Sequence, residues 1–159
     1  MNLSNRLKNK KGHASRQAGF TLIELLVVIG ILAILLAITL IAINPARQFS
    51  QANNTQRSSD VNAILNAINQ YMSDYGGTPP PGITAAPANI ASAGGVDLCT
   101  YLTTTYLASM PVDPGIGDWT SCAAYNTRYF VSRGADNRIT ITANDTEIPP
   151  ATAIITVTR

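Results

Sequence analysis

Hydrophobic residues fill one long stretch near the start of the chain. From Phe20 to Ile43, a run of 24 residues contains a single charged side chain, Glu24. As an α-helix, a run of this length extends about 36 Å, which exceeds the roughly 30 Å hydrocarbon thickness of a bilayer. The pattern therefore predicts a transmembrane helix over residues 20–43.

A second helical pattern follows in residues 44–76, where apolar residues recur every three or four positions and form one stripe. The stripe consists of Val61, Ile64, Leu65, Ile68, Tyr71, Met72 and Tyr75. Two glycines and a proline-rich stretch after Tyr75 predict the end of this amphipathic helix. An apolar stripe must be covered, and we expect it to pack on the C-terminal part of the same chain.

Pro45 stands between the two helical patterns. It lacks a backbone N–H and disfavours helical geometry at Asn44, so we expect either a local loss of helix or a bend in a continuous helix there. Gly30, inside the apolar run, is a second candidate for a helix break because glycine has a low helix propensity.

Residues 77–159 are predicted to form a globular domain. Residues 77–95 are rich in Pro, Ala, Gly and Thr and indicate a loop, and a short helix is expected from Asp97 to about Ala108. Three runs of alternating apolar and polar residues then predict strands. These runs extend from Tyr125 to Ser132, from Arg138 to Thr142 and from Ala153 to Thr158. The expected fold class is α+β, with a long N-terminal helix packed against a small antiparallel sheet of about three strands.

Charge is distributed unevenly along the chain. Residues 1–19 contain five Lys and Arg side chains and no Asp or Glu, whereas the remainder has six Arg and nine acids, a net charge of −3. The basic segment is therefore expected on the cytoplasmic side of the membrane and the rest of the chain outside. Small residues precede the apolar run instead of following it, which argues against a secretory signal peptide. The mildly acidic exported part gives no support for DNA binding.

Cys99 and Cys122 both lie in the part expected outside the membrane. An even number of cysteines in an exported region favours a disulfide, and their spacing does not match a C-x-x-C metal or redox motif. The alternative is a pair of unpaired, buried thiols.

The residue types that catalysis needs are sparse. The only histidine, His13, lies in the basic segment, so the exported part has neither a nucleophile–histidine pair nor a histidine metal set. We therefore expect no enzymatic activity and no cofactor. Asp113 and Asp118, in the sequence DPGIGD, are weak candidates for calcium ligands, and a plain turn is the simpler interpretation. Asn-x-Thr triplets at Asn53 and Asn144 match the glycosylation pattern, which is common by chance.

The beginning of the apolar run resembles the processing signal of type IV prepilins and pseudopilins. The matching features are the short basic segment, Gly19, Phe20, and Glu24 at the fifth position after the glycine. The resemblance implies removal of residues 1–19 by prepilin peptidase and N-methylation of Phe20. It also implies that Glu24 pairs with the new amine of a neighbouring subunit during assembly. The alternative is that Glu24 accepts hydrogen bonds from the amides of its own first helical turn.

The function that this resemblance implies is that of a pilin, a structural subunit of a type IV pilus-like filament serving adhesion, motility or DNA uptake. Such a protein spans the membrane once before assembly and then enters an extracellular filament at the cell surface. The implied partners are other copies of the chain, prepilin peptidase, membrane lipid, and a membrane assembly platform with its ATPase. One alternative is a pseudopilin of a type II secretion or competence system. Another, of a different class, is a membrane-anchored surface binding protein that does not polymerise.

Overall fold

The computed structural model describes residues 19–147 and 154–159, and within them the chain forms three helices and five strands. The helices are α1 (Leu22–Ile43), α2 (Pro45–Asp74) and α3 (Cys99–Leu102), and the strands are β1 (Ala88–Ala91), β2 (Asp118–Ser121), β3 (Ala124–Arg133), β4 (Ile139–Ala143) and β5 (Ile155–Thr158). The chain divides into two compact units, one ending at Ile43 and the other extending from Asn44 to Arg159. The α+β class and the antiparallel sheet are confirmed. Apart from Gly19, the leader expected over residues 1–19 lies outside the described residues.

The first unit contains α1, a helix of 22 residues composed largely of Leu, Ile, Val and Ala. Its large hydrophobic side chains from Leu22 to Ile41 are at least half exposed. Gly30 does not interrupt α1, contrary to the prediction of a break there. Glycine keeps its backbone N–H, and its propensity penalty of about 1 kcal/mol is small beside the cooperativity of so long a helix.

Helical geometry does stop at Asn44, between α1 and α2. Asn44 has a left-handed backbone with a φ of 45°, a conformation that asparagine adopts more readily than most residues. Its side-chain oxygen accepts a hydrogen bond from the Arg47 amide and so caps α2. Pro45 begins α2, where a missing N–H removes no intrahelical hydrogen bond. The sequence around Pro45 thus ends one helix and begins another.

The second unit is organised around α2, which packs one face on the sheet. Its most deeply buried apolar side chains belong to the stripe predicted from the sequence: Val61, Ile64, Leu65 and Ile68. The helix ends in a Schellman motif, in which the Gly77 amide donates to the Met72 carbonyl oxygen at 2.6 Å. Gly76, with a φ of 64°, supplies the left-handed residue that this motif requires.

β3 is the central strand of the antiparallel sheet, whose order is β1-β3-β4-β5. β2 pairs with the beginning of β3. Asn126 of β3 pairs with both Ala91 of β1 and Asp118 of β2, so β2 lies on the side of β3 opposite β1. Buried side chains alternate along β3 and β4 and form one core with α2. The largest of those that are fully buried are Tyr129, Val131, Ile139 and Ile141.

The sequence does not predict β1, which lies in the segment expected to be a loop, or β2, which begins at the last residue of the DPGIGD turn. Each has four residues, as β5 has, but neither contains the run of β-branched residues that marks β5 as a strand. β2 pairs with the beginning of β3 because β3 has ten residues and β4 only five, which leaves positions on that edge unfilled, whereas β1 pairs with the opposite edge of β3. The helix expected from Asp97 to Ala108 is also shorter, because α3 ends at Leu102 and Thr103 is extended. β-branched threonine favours this early end.

Candidate functional site

The segment before α1 is the first candidate site. Gly19 and Phe20 have no regular secondary structure, and Phe20 is 85 % exposed. A Cβ atom added to Gly19 would meet no other atom within 4 Å. The fold therefore does not require glycine at this position, and a requirement for glycine would come from a partner that recognises the segment.

Glu24 and Thr21 form a capping box at the start of α1. Glu24 Oε2 accepts hydrogen bonds from the Thr21 amide at 2.8 Å and from the Thr21 hydroxyl at 2.7 Å. The Glu24 amide in turn donates to Thr21 Oγ1 at 3.3 Å. This reciprocal arrangement satisfies amides at the helix N-terminus that have no intrahelical partner. Glu24 therefore accepts hydrogen bonds within its own first helical turn, which was the alternative to pairing with a neighbouring subunit. Its second carboxylate oxygen, Oε1, accepts no hydrogen bond from the described residues.

α1 presents apolar side chains on all of its faces. Within the part of the chain that the structure describes, Leu22–Ala42 is the one helical segment long and apolar enough to cross a membrane, and none of it is buried. An apolar surface of this extent is stable against lipid or against other apolar helices, and not in water.

Arg57 forms a buried polar network in the second unit, which is the second candidate site. The residue is 1 % exposed. Its guanidinium donates to both carboxylate oxygens of Asp113, from Nε to Oδ2 at 2.6 Å and from Nη2 to Oδ1 at 3.0 Å. It also donates to Glu147 Oε1 at 2.8 Å and to Asn54 Oδ1 at 2.8 Å. Arg57 thus connects α2 to two loops, one before β2 and one after β4.

Hydrogen bonds in this network keep its acids charged. Burial raises the pKa of Asp113, but hydrogen bonds from Arg57 and from two backbone amides of the following turn outweigh it and hold that pKa below its usual value. Hydrogen bonds from Arg57 and Asn53 lower the pKa of Glu147. The bond to Asp113 raises the pKa of Arg57 despite its burial. All three groups are therefore ionised at neutral pH.

Asp60 is another buried carboxylate, one turn after Arg57. It accepts hydrogen bonds from the Tyr129 hydroxyl at 2.8 Å and from the Gln56 side-chain amide at 2.7 Å. Burial raises the pKa of Asp60, and burial and the bond to Asp60 also raise the pKa of Tyr129, which stays a donor. Because both oxygens of Asp60 are satisfied, this part of the network fixes the packing of α2 against β3.

Asp113 was a weak candidate for a calcium ligand from the sequence, but its contacts in this network leave it unsuited to bind calcium. Its carboxylate is paired with Arg57, and a second cation at the same oxygens would be repelled by the guanidinium. Asp118, the other candidate, is exposed at the start of β2. Residues 19–147 and 154–159 contain no cluster of three or more His, Cys, Asp or Glu that could hold a metal ion. The DPGIGD segment is a turn closed by Asp113.

Cys99 and Cys122 are joined by a disulfide, as predicted, with Cα atoms 5.3 Å apart. Cys99 begins α3, and Cys122 lies in the turn between β2 and β3. The Tyr125 hydroxyl supports the same region, since it accepts a hydrogen bond from the Cys99 amide and donates one to Asp97. The disulfide therefore fastens the α3 segment to the β2–β3 hairpin.

Sequence reasoning located Gly19, Phe20 and Glu24 but missed Thr21 and Arg57. Thr21 carried a usable signal, because T-x-x-E before an apolar run is the pattern of a capping box. Arg57 carried none, because its acidic partners are 56 and 90 positions away along the chain.

Comparison with known families identifies one segment of the chain. A family model described as the prokaryotic N-terminal methylation motif matches residues 14–40. The match includes Gly19, Phe20 and Glu24 and most of α1. No characterised protein and no solved structure matches the chain.

Proposed function

We propose that this chain, which carries an N-terminal signal of the type IV pilin or pseudopilin type, is a structural subunit of a pilus-like filament. The observation that carries the proposal is the position of that signal, directly before a helix whose apolar side chains are exposed on every face. Lipid covers this surface before assembly, and the α1 helices of other copies cover it in the filament. The role of the chain is structural and not enzymatic.

Processing converts the precursor into a subunit that can assemble. Prepilin peptidase cleaves after Gly19, and Phe20 becomes the N-methylated first residue. Cleavage creates a positive amine at Phe20, four residues before Glu24. Lipid and neighbouring helices are similarly apolar, so exchanging one for the other supplies little driving force. Pairing of Glu24 with the Phe20 amine of an adjacent copy then fixes the position of each subunit.

The proposal includes the partners that such assembly requires. The precursor is a single-pass membrane protein with its N-terminus in the cytoplasm, and a membrane platform with an ATPase extracts it into an extracellular filament. Copies of the same chain are the main partner. Such a filament serves adhesion, motility or uptake of DNA. The net charge of −3 after residue 19 favours adhesion or motility over DNA uptake.

The experiment compares wild-type chain with Gly19→Val in cells that assemble it. Wild-type protein sheared from the cell surface is expected to begin at Phe20 by intact-mass measurement and to form filaments visible by electron microscopy. Gly19→Val is expected to remain a full-length, unassembled precursor, and its fold is not disturbed because a Cβ at this position meets no neighbour. Gly30→Ala, within α1, is the control and should be processed normally. Surface filaments that retain Met1 or are cut elsewhere would contradict the proposal.

The same experiment separates the two alternative functions. A pseudopilin shares the signal and its cleavage, but abundant filaments should not be shed from the cells. An anchored binding protein that does not polymerise should be cleaved and found only in membranes.

A further inference from the structure

The exposed charges of α2 lie at its two ends. The helix has four charged side chains, of which Arg57 and Asp60 are buried and hydrogen-bonded within the second unit. Arg47 and Asp74 are exposed, and neither forms an ion pair with any residue that the structure describes. One unpaired positive charge therefore remains in the first turn of α2, and one unpaired negative charge remains in the last.

Each of these charges stands at the end of the helix where it is unfavourable. The aligned peptide dipoles give a helix a partial positive charge at its N-terminus and a partial negative charge at its C-terminus. Arg47 adds a cation to the first turn and Asp74 an anion to the last, and α2 has neither an acid in its first turn nor a base in its last. Neither charge stabilises its own helix, which points to a partner outside the subunit.

The geometry of α2 lets two copies satisfy each other. Asp74 follows Arg47 by 27 positions, which places the two side chains about 40 Å apart along the helix axis and about 180° apart around it. They consequently lie on opposite flanks of the helix. Two copies side by side, with one shifted by about 40 Å along α2, bring Arg47 of one copy to Asp74 of the other.

We propose that Arg47 of one copy pairs in the filament with Asp74 of a second copy shifted by about 40 Å along α2, a different pair of copies from the one that Glu24 joins; the inference rests on the proposed function. The Tyr106 hydroxyl donates to Asp74 Oδ2 at 2.7 Å and holds the carboxylate, which leaves Oδ1 for the guanidinium. Each copy offers one cation, Arg47, and one anion, Asp74, on opposite flanks of α2. The contact is therefore heterologous and repeats without closing, as a filament requires.

Charge reversal tests this contact in the full chain. Arg47→Asp and Asp74→Arg each place like charges opposite one another, and each should reduce the yield of sheared filaments by about tenfold or more. The variant with both changes restores an opposite-charge pair and should recover most of the yield. Each single change also places a charge that suits the helix dipole. Asp74→Arg removes the Tyr106 hydrogen bond as well, but the variant with both changes lacks the same bond, so recovery of its yield would show that the lost bond is not the cause. Arg138→Asp, at an exposed site in the turn before β4, is the control and should assemble normally.

Cross-linking tests the direction of the contact. A variant with Arg47→Cys and Asp74→Cys, treated on filaments with a short bismaleimide, should give a ladder of covalent oligomers. Arg47→Cys alone should give none, whereas a symmetric contact would give dimers.

The outcomes distinguish the two proposals. If wild-type chain forms no filaments, the proposed function fails and this inference with it. If wild-type chain forms filaments and both single reversals do so equally well, or if only dimers are cross-linked, this inference alone is overturned.

Discussion

Glu24 is a charged side chain one turn into an apolar helix, and two features reduce the cost of placing it there. Thr21 satisfies one carboxylate oxygen through two hydrogen bonds, and the short distance to the start of the helix lets the side chain reach the membrane interface. The penalty is therefore below the roughly 2.5–3.5 kcal/mol of an acid at the membrane centre. In a packed apolar filament core, an unpaired carboxylate and an unpaired amine are both unfavourable, and pairing removes both costs.

The first prediction concerns the charge of Glu24. Glu24→Ala should still be inserted and cleaved but enter filaments at least about tenfold less well, and Glu24→Asp should be intermediate because its shorter arm spoils the geometry. Glu24→Gln separates capping from charge, since glutamine also serves in a capping box but cannot form an ion pair. Thr21→Val removes the hydroxyl cap and keeps the charge, so it should assemble better than Glu24→Gln. Normal filament yield from Glu24→Ala would rule out the docking role.

A second residue-scale prediction concerns Arg57. Arg57→Met leaves the Asp113 carboxylate buried without its partner, which should lower the free energy of unfolding by about 3–5 kcal/mol. Adding Asp113→Asn should recover part of this loss, because asparagine is uncharged and still accepts from the turn amides. Chemical denaturation of the mature protein in detergent measures both variants. The exposed control, Arg138→Met, should change stability by less than about 0.5 kcal/mol, and an equally small effect of Arg57→Met would contradict the role of the network.

At the scale of elements, α3 and its flanking loops have little regular structure of their own. α3 has four residues, and β1 and β2 are equally short. Such segments contribute few backbone hydrogen bonds of their own, so cross-links from outside hold them in place. The disulfide and the hydrogen bonds of Tyr125 supply these links near α3, and Arg57 supplies them at the turn before β2.

The disulfide gives the prediction at this scale. On chain-entropy grounds, a bridge that closes a loop of about 24 residues stabilises the folded chain by roughly 3.4 kcal/mol. Reduction, or the double change Cys99→Ser and Cys122→Ser, should therefore lower the unfolding midpoint while leaving cleavage at Gly19 unchanged. Thiol titration of denatured, non-reduced mature protein should find no free thiol. Free thiols at these positions would show that the bridge does not form in the cell.

At the scale of the whole molecule, the two units differ in whether their apolar side chains are covered by the chain itself. The first is an apolar helix that remains uncovered until lipid or other copies contact it. The second, from Asn44 to Arg159, buries a core of its own between α2 and the sheet. The surroundings of α1 can therefore change without unfolding the second unit, whose stability depends on its own core and buried ion pairs.

The pH dependence of stability is predicted from these ion pairs. Asp113 and Glu147 have folded-state pKa values below their usual 3.8 and 4.5, so the stability they contribute is present at higher pH and is lost as pH falls through the lowered values. Asp60, with a raised pKa, acts in the opposite sense, since its burial is less unfavourable once it is protonated. Protonation of Asp113 would leave the buried Arg57 guanidinium without its bidentate partner, and we expect this cost to exceed the gain at Asp60 and to lower stability below about pH 4.

Unfolding midpoints of the mature protein between about pH 2.5 and pH 7 measure this dependence. Glu147→Gln removes one of the two titrating contacts and should give a shallower acid limb than wild type. Stability that is unchanged or higher at about pH 3 would contradict the stabilising role of the ionised Asp113 and Glu147.

The sequence by itself determined the features that depend on neighbouring residues. The apolar run, the N-terminal methylation motif, the helix break beside Pro45 and the buried stripe of α2 all follow from residues within one segment, and three of the five strands show alternation in their sequence. The disulfide followed from counting cysteines in an exported region. Each of these signals lies within one segment of chain.

Only the tertiary structure decided which distant residues meet. Arg57 is an ordinary polar position of a helix until the fold places Asp113 and Glu147 beside it, and nothing in a window of sequence relates them. β1 and β2 form because the long strand β3 offers them pairing positions, not because their own residues favour a strand. Gly30 stays helical although its own propensity is low, because the cooperativity of a long helix outweighs the preference of one residue.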